Sequence, residues 1–251
     1  MFTRLPVLRR RLVVGLFLAA GSWCPSVSAA GGFHAALALE RSFADVDYEK
    51  SVGFDSPFSA MTARDSTREP VDALKATIGY RWPVSGRLYL AGEIEGAFYL
   101  DDETGGFLEG TGEGDTDVWP GTWTLERRRA VGLNARLGYI PDSLEFLGTE
   151  RSLYLFAGTR WIDTNIEAEH LNRRLGIAGS RRTDHTLNPW LVGLGIEFGG
   201  GESRFDLRLG HATYDVDFGF GGAAADDPRL GYAFDVREWS VTLGYVVAFG
   251  D

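Results

Sequence analysis

Residues 239–249 read Trp-Ser-Val-Thr-Leu-Gly-Tyr-Val-Val-Ala-Phe and alternate with a period of two. The odd positions, Trp239, Val241, Leu243, Tyr245, Val247 and Phe249, are all apolar or aromatic. The even positions, Ser240, Thr242, Gly244, Val246 and Ala248, are small or polar apart from one valine. Such a period belongs to a β-strand, not a helix. The stretch is about as long as a strand that crosses a bilayer at a tilt. Its apolar face has aromatics at both ends and aliphatics between, as expected where the two ends of a strand meet two membrane interfaces. The alternative that this strand leaves open is an amphipathic edge strand of a soluble sandwich.

The beginning of the chain bears on that choice. Arg4, Arg9, Arg10 and Arg11 precede an apolar run at 12–20 that is too short to span as a helix. Small residues at Val27-Ser28-Ala29 and Ser28-Ala29-Ala30 supply cleavage positions, so residues 1–30 read as an export signal and 31–251 as one β domain. Cys24, the only cysteine, lies in the leader behind Trp23, which does not suit lipoprotein processing. An exported domain without disulfides needs another source of stability, and barrel closure would supply one.

The pattern of residues 239–249 repeats along the chain. Strands are expected at 33–43, 72–82, 87–100, 122–140, 152–165, 185–198, 204–216 and 239–249, eight in all. Between them lie polar loops at 45–70, 101–121, 167–184 and 217–235, alternating with short turns such as Pro83-Val84-Ser85-Gly86. An even count puts both termini on one side, with the short turns there and the long loops opposite, which is the habit of bacterial barrels. A soluble sandwich has no reason to keep that alternation. The expected fold is therefore all-β: a closed eight-stranded antiparallel transmembrane barrel. No stretch after the leader has 18 consecutive apolar residues, so no transmembrane helix is expected.

In lipid the sheet must close and the apolar face must point outward. The polar face then fills an interior just wide enough for side chains. The expected inward acids are Glu40, Glu93, Glu95, Glu126, Glu197 and Asp206, and the inward bases are Lys75, Arg81, Arg128, Arg136, Arg160, Arg204 and Arg208. The two sets nearly balance, although removal of four leader arginines takes the formal charge from −10 to −14. Charges confined in a narrow bore must be paired, so the set reads as a salt-bridge plug, with a charged pore or gate as the alternative. A chain this acidic is a poor partner for nucleic acid.

The whole mature chain resembles the eight-stranded outer-membrane barrels of Gram-negative bacteria, the OmpA-like and opacity-type porin family. The resemblance rests on the leader, the eight alternating strands, Gly158-Thr159-Arg160-Trp161 with the later run at 183–193, and the Thr242-x-Gly244-x-x-Val247-x-Phe249 ending. That ending is similar to the signal read by the outer-membrane assembly machinery, although Gly250 and Asp251 follow where the family usually stops. The resemblance implies outer-membrane lipid and lipopolysaccharide as surroundings, periplasmic termini and no cofactor. An envelope-structural or surface-loop role is the expectation, with a small passive channel and a lipid A-modifying enzyme as the alternatives.

Direct signs of chemistry are sparse. His34, His170, His185 and His211 have no metal-ligand spacing, and there is no Gly-x-Ser-x-Gly elbow. His211-Ala212-Thr213 resembles the His-x-Ser of barrel deacylases, but with Thr at the nucleophile position and no following Asn. An interfacial polar pair is the plainer reading. Asp101, Asp102, Glu103, Glu109, Glu113, Asp115 and Asp117 could attract Ca²⁺, but their spacing is not that of a calcium loop. A solvated surface loop is the plainer reading there too, and the expected role is non-enzymatic.

Overall fold

A computed structural model describes residues 31–53, 61–100, 103–109, 120–141, 150–172, 177–200, 202–220 and 229–249. The expected leader lies outside them, as do Asp101, Asp102, Glu113, Asp115 and Asp117. Among the described residues ten strands form one antiparallel sheet: β1 Gly32–Gly53, β2 Met61–Pro83, β3 Leu88–Tyr99, β4 Glu103–Leu108, β5 Gly121–Tyr139, β6 Glu150–Asn172, β7 Ile177–Leu187, β8 Trp190–Gly200, β9 Ser203–Phe220 and β10 Arg229–Phe249. Eight of them close a ring in the order β1-β2-β3-β5-β6-β8-β9-β10, with β10 pairing back on β1 from Phe33↔Phe249 to Gly53↔Arg229. The ring is the expected eight-stranded barrel. β4 carries on beyond β3 alongside β5, and β7 precedes β8 alongside β6.

The expected strand at 185–198 is broken at Asn188 and Pro189. Proline has no N–H for the ladder, yet its carbonyl accepts from Arg160 N at 3.2 Å and holds the register.

The apolar face points outward, as expected. Leu37, Ile78, Ile94, Leu133, Leu155, Leu194, Leu207 and Leu243 are all exposed on the wall. Aromatics mark both rims. Phe33, Trp82, Tyr139, Phe205 and Phe249 stand at the end carrying the termini, and Phe43, Phe98, Trp161, Trp190 and Trp239 at the other. Ten residues of β1 separate Phe33 from Phe43, about 34 Å of strand. At the usual tilt this gives about 26 Å of height, the thickness of an apolar membrane band.

The expected loops at 45–70, 167–184 and 217–235 are largely strand. β1 and β2 stay paired from Asp45↔Arg68 to Val52↔Met61, and β9 and β10 from Asp217↔Ala233 to Phe220↔Leu230. The barrel therefore rises well above its apolar belt. Polar outer residues hid these extensions, because the wall there faces water. Among the described residues no ladder joins β4 to β2 or β7 to β9. Side chains bridge the two seams instead: Trp123 Nε1 donates to Asp65 at 2.8 Å, and the His185 and Phe218 rings lie 5.8 Å apart.

Candidate functional site: the charged interior

Along each ring strand alternate residues enter the bore, so sequence parity selects its contents. Glu40, Lys75, Arg81, Glu93, Glu95, Arg136, Arg160, Glu197, Asp206 and Arg208 are all buried inside, as expected. Arg204 joins them at the lower mouth. Glu126 and Arg128 do not. A bulge between Arg127 and Arg129 reverses the parity of β5 above Ala130, so Arg127 is the buried member and its two neighbours face outward. Three consecutive arginines cannot all obey a period of two, and that run was the available signal for a bulge.

The ion pairs form two layers. In the upper one, Lys75 Nζ lies 2.9 Å from both Glu40 and Glu95, and Arg160 reaches Glu40 at 2.9 Å and Glu95 at 2.8 Å. Asn134 donates to Glu95 and Thr242 to Glu40. In the lower one, Arg136 meets Glu93, Glu197 at 2.8 Å and Asp206 at 3.2 Å. Arg208 meets Glu93 at 3.1 Å and Asp206 at 2.7 Å, and Arg81 meets Glu197 at 2.5 Å.

Ring order gives these pairs their meaning. β1 and β6, β2 and β8, and β3 and β9 are diametrically opposite, and Glu40–Arg160, Arg81–Glu197 and Glu93–Arg208 join them one to one. Each pair crosses the whole bore. Rings fill the remaining space. Tyr154 donates to Asp206 and lies over Gly195; Tyr89 shares a 3.0 Å hydrogen bond with Ser152 and lies over Gly138, and the Arg81 guanidinium sits 4.0 Å from the Tyr89 ring centre. A Cβ at Gly195 or Gly138 would collide with those rings, which is why glycine stands opposite tyrosine there.

Parity along β10, followed one residue before its expected start, would have found Glu238, and parity along β1, read for histidine too, would have found His34. His34 Nε2 contacts Glu93 at 3.0 Å. Above the ladder, Arg127 donates to Tyr214 at 2.9 Å and Thr104 at 3.1 Å, and Tyr214 donates to Glu238 at 3.4 Å. Still higher the interior is apolar: Val46, Tyr48, Trp123, Leu125, Ile166, Tyr232, Phe234 and Val236 pack together, with Tyr48 stacked on Trp123 at 5.2 Å. Lys50 is buried at this level and donates to the Glu169 carbonyl at 3.0 Å. Burial pulls its amine down to about 8 and pushes the Tyr232 hydroxyl up to about 12.

In the C-terminal stretch Thr242 and Gly244 point inward, and Val247 and Phe249 outward. His211 is on the outer wall. Its ring stacks on Trp239 at 4.4 Å, and its Nδ1 donates to the Glu238 carbonyl at 3.1 Å. Thr213 is exposed on the same face. No group of three or more metal-binding side chains occurs among the described residues.

Closed ring, apolar belt and ion-filled bore together define a transmembrane β-barrel. No protein-family model matches the chain, and no curated protein does. Solved structures similar to it include three bacterial proteins. OprG, an outer-membrane protein of Pseudomonas aeruginosa, is 14% identical over 86% of this chain and 96% of its own (TM-score 0.42). The outer-membrane protease OmpT of Escherichia coli is 9% identical over 87% and 97% (TM-score 0.40). The attachment invasion locus protein Ail of Yersinia pestis is 14% identical over 83% and 98% (TM-score 0.27).

Proposed function

We infer that this chain is a non-enzymatic outer-membrane barrel of the Gram-negative envelope, with periplasmic termini. Its role is structural, or it presents its tall upper end to partners at the surface. The bore-crossing pairs Glu40–Arg160, Arg81–Glu197 and Glu93–Arg208 support this reading, because side chains joined across a narrow bore obstruct a water path along it. Outer-membrane lipid and lipopolysaccharide would wet the belt. The assembly machinery would meet the outward Val247 and Phe249. In planar bilayers the folded protein should give no steady conductance; channels of uniform size would replace the plug with a pore.

Lipid modification through His211 is the competing reading. A hydroxyl nucleophile needs a base oriented by an acid. Glu238, whose backbone carbonyl holds the imidazole Nδ1, sends its own carboxylate into the barrel at Tyr214. Stacking on Trp239 suits a residue anchoring the wall at the interface. Fatty acid released from lipopolysaccharide, and lost in His211→Ala, would favour the enzyme.

A further inference from the structure

The charge ladder balances layer by layer except at its lower end. Lys75 and Arg160 match Glu40 and Glu95, and above them Arg127 shares Tyr214 with Glu238. In the lower layer Arg81, Arg136, Arg204 and Arg208 meet Glu93, Glu197 and Asp206, four guanidiniums to three carboxylates among the described residues. Arg204 is the outermost of the four. Its Nη1 lies 3.4 Å from Glu197 Oε2, the longest ion pair of the layer, and Arg81 already holds that oxygen at 2.5 Å. The Nε of Arg204 is buried with no hydrogen-bond partner among the described residues. A buried donor left without an acceptor is destabilising, so a guanidinium in this position calls for an acceptor.

The space beside it has room for one. Arg81, Ile140, Arg151, Ser152, Glu197, Gly199 and Arg204 line a cavity of about 20 Å³ at the mouth. That holds a single oxygen atom with its shell, not a whole polyatomic anion. The chain turns beside it at Gly199, where φ is 148° and a Cβ would meet the Ser203 carbonyl at 2.6 Å, so no side chain stands there.

We propose that this mouth is a phosphate-binding site. The Arg204 side chain rotates to turn its buried Nε–H toward one oxygen that enters the cavity, while the rest of the group stays outside, against the guanidinium edges of Arg204 and Arg81. A tetrahedral oxyanion can send one oxygen inward and keep others for a second guanidinium, and guanidinium–phosphate hydrogen bonds are strong and directional. The group comes either from the headgroup of an anionic phospholipid in the leaflet at this end or from free phosphate.

The test follows the Arg204 Nε–Hε resonance of ¹⁵N-labelled full-length barrel, folded in a phosphate-free maltoside detergent and assigned through bonds from its own amide. Inorganic phosphate is titrated in one arm and phosphatidylglycerol in the micelle in another, with sodium chloride at matched ionic strength as reference. A saturable shift with phosphate supports the site with a free ligand. One with phosphatidylglycerol alone supports it with a headgroup. Arg204→Gln, checked for heat-modifiable gel mobility, should weaken the response at neighbouring amides at least tenfold; should it fail to fold, the wild-type titration decides alone. A resonance unmoved in both arms, or moved equally by chloride, overturns the proposal. Bilayer conductance is independent of either result.

Discussion

Glu40 and Tyr48 both point into the barrel from β1, eight residues apart on one face of one strand. Around Glu40 lie Lys75, Arg160 and Thr242, and the outer wall at that height is Leu37, Leu74, Val241 and Leu243. Around Tyr48 lie Trp123, Tyr232 and Phe234. The outer wall at its height is charged, with Arg64–Glu49 at 2.6 Å and Arg68–Asp45 at 3.4 Å. The strand does not change; its surroundings do. Below the rim of Phe43 and Trp239, burial in lipid selects the apolar face outward and the charges must pair within. Above it, water selects the reverse, and the barrel acquires an ordinary hydrophobic core. The boundary carries the bulge at Arg127–Arg129, with Arg127, Tyr214 and Glu238 joining the ionic interior to the apolar one.

Two substitutions should be the most damaging, one in each tier and for opposite reasons. Arg160→Met strips Glu40 and Glu95 of a buried partner and should cost about 3–5 kcal/mol. Phe234→Ala opens a cavity among Tyr48, Trp123 and Phe218 and should cost about the same. Equilibrium unfolding from lipid vesicles measures both. A harmless Arg160→Met would mean the ladder bears no structural load.

Next in size is a charge placed on the outer wall. Leu243→Arg, mid-belt, should cost roughly 2–4 kcal/mol. Ala233→Arg, on the upper wall between Glu49 and Asp217, should stay within about 0.5 kcal/mol. Equal penalties would place both positions in the same medium. Truncation separates the tiers more gently: Leu243→Ala leaves lipid to fill the gap and should cost well under about 2 kcal/mol, whereas Ile166→Ala in the upper core should cost about 2–5 kcal/mol.

The smallest effect is one of pH. The buried Lys50 amine titrates near 8, below its ordinary 10.5. Between those values the unfolded chain holds a proton that the folded one has released, so stability rises with pH across that window. The gain should be on the order of 1 kcal/mol. It should vanish in Lys50→Met, read as a flat urea midpoint between pH 8 and 9.5, below the range where Tyr232 ionises.

The membrane tier was legible because its alternation has high contrast: Leu against Lys75, Ile against Glu93 and Glu95, Leu against Arg208. Parity alone assigned ten charged residues to the bore, and all ten are buried. The upper tier was not legible, because its wall mixes Asp, Arg, Ser and Gly with inward Ala44, Val46 and Tyr48, and such contrast resembles a polar loop. Glu126 and Arg128 were misplaced for a different reason. A single-residue bulge reverses a face without changing composition. Which charges meet across the bore depends on ring order and shear, and neither is written in any one strand.

The inversion at the Phe43–Trp239 rim can be measured directly with spin labels at Leu243→Cys and Ala233→Cys, in a chain whose only natural cysteine, Cys24, is replaced by Ser. In lipid vesicles the label at 243 should collide with oxygen and be shielded from a water-soluble nickel chelate. The label at 233, ten residues away on the same face of β10, should show the opposite. Nickel access at both positions would contradict a lipid-facing belt, and with it the two-tier barrel.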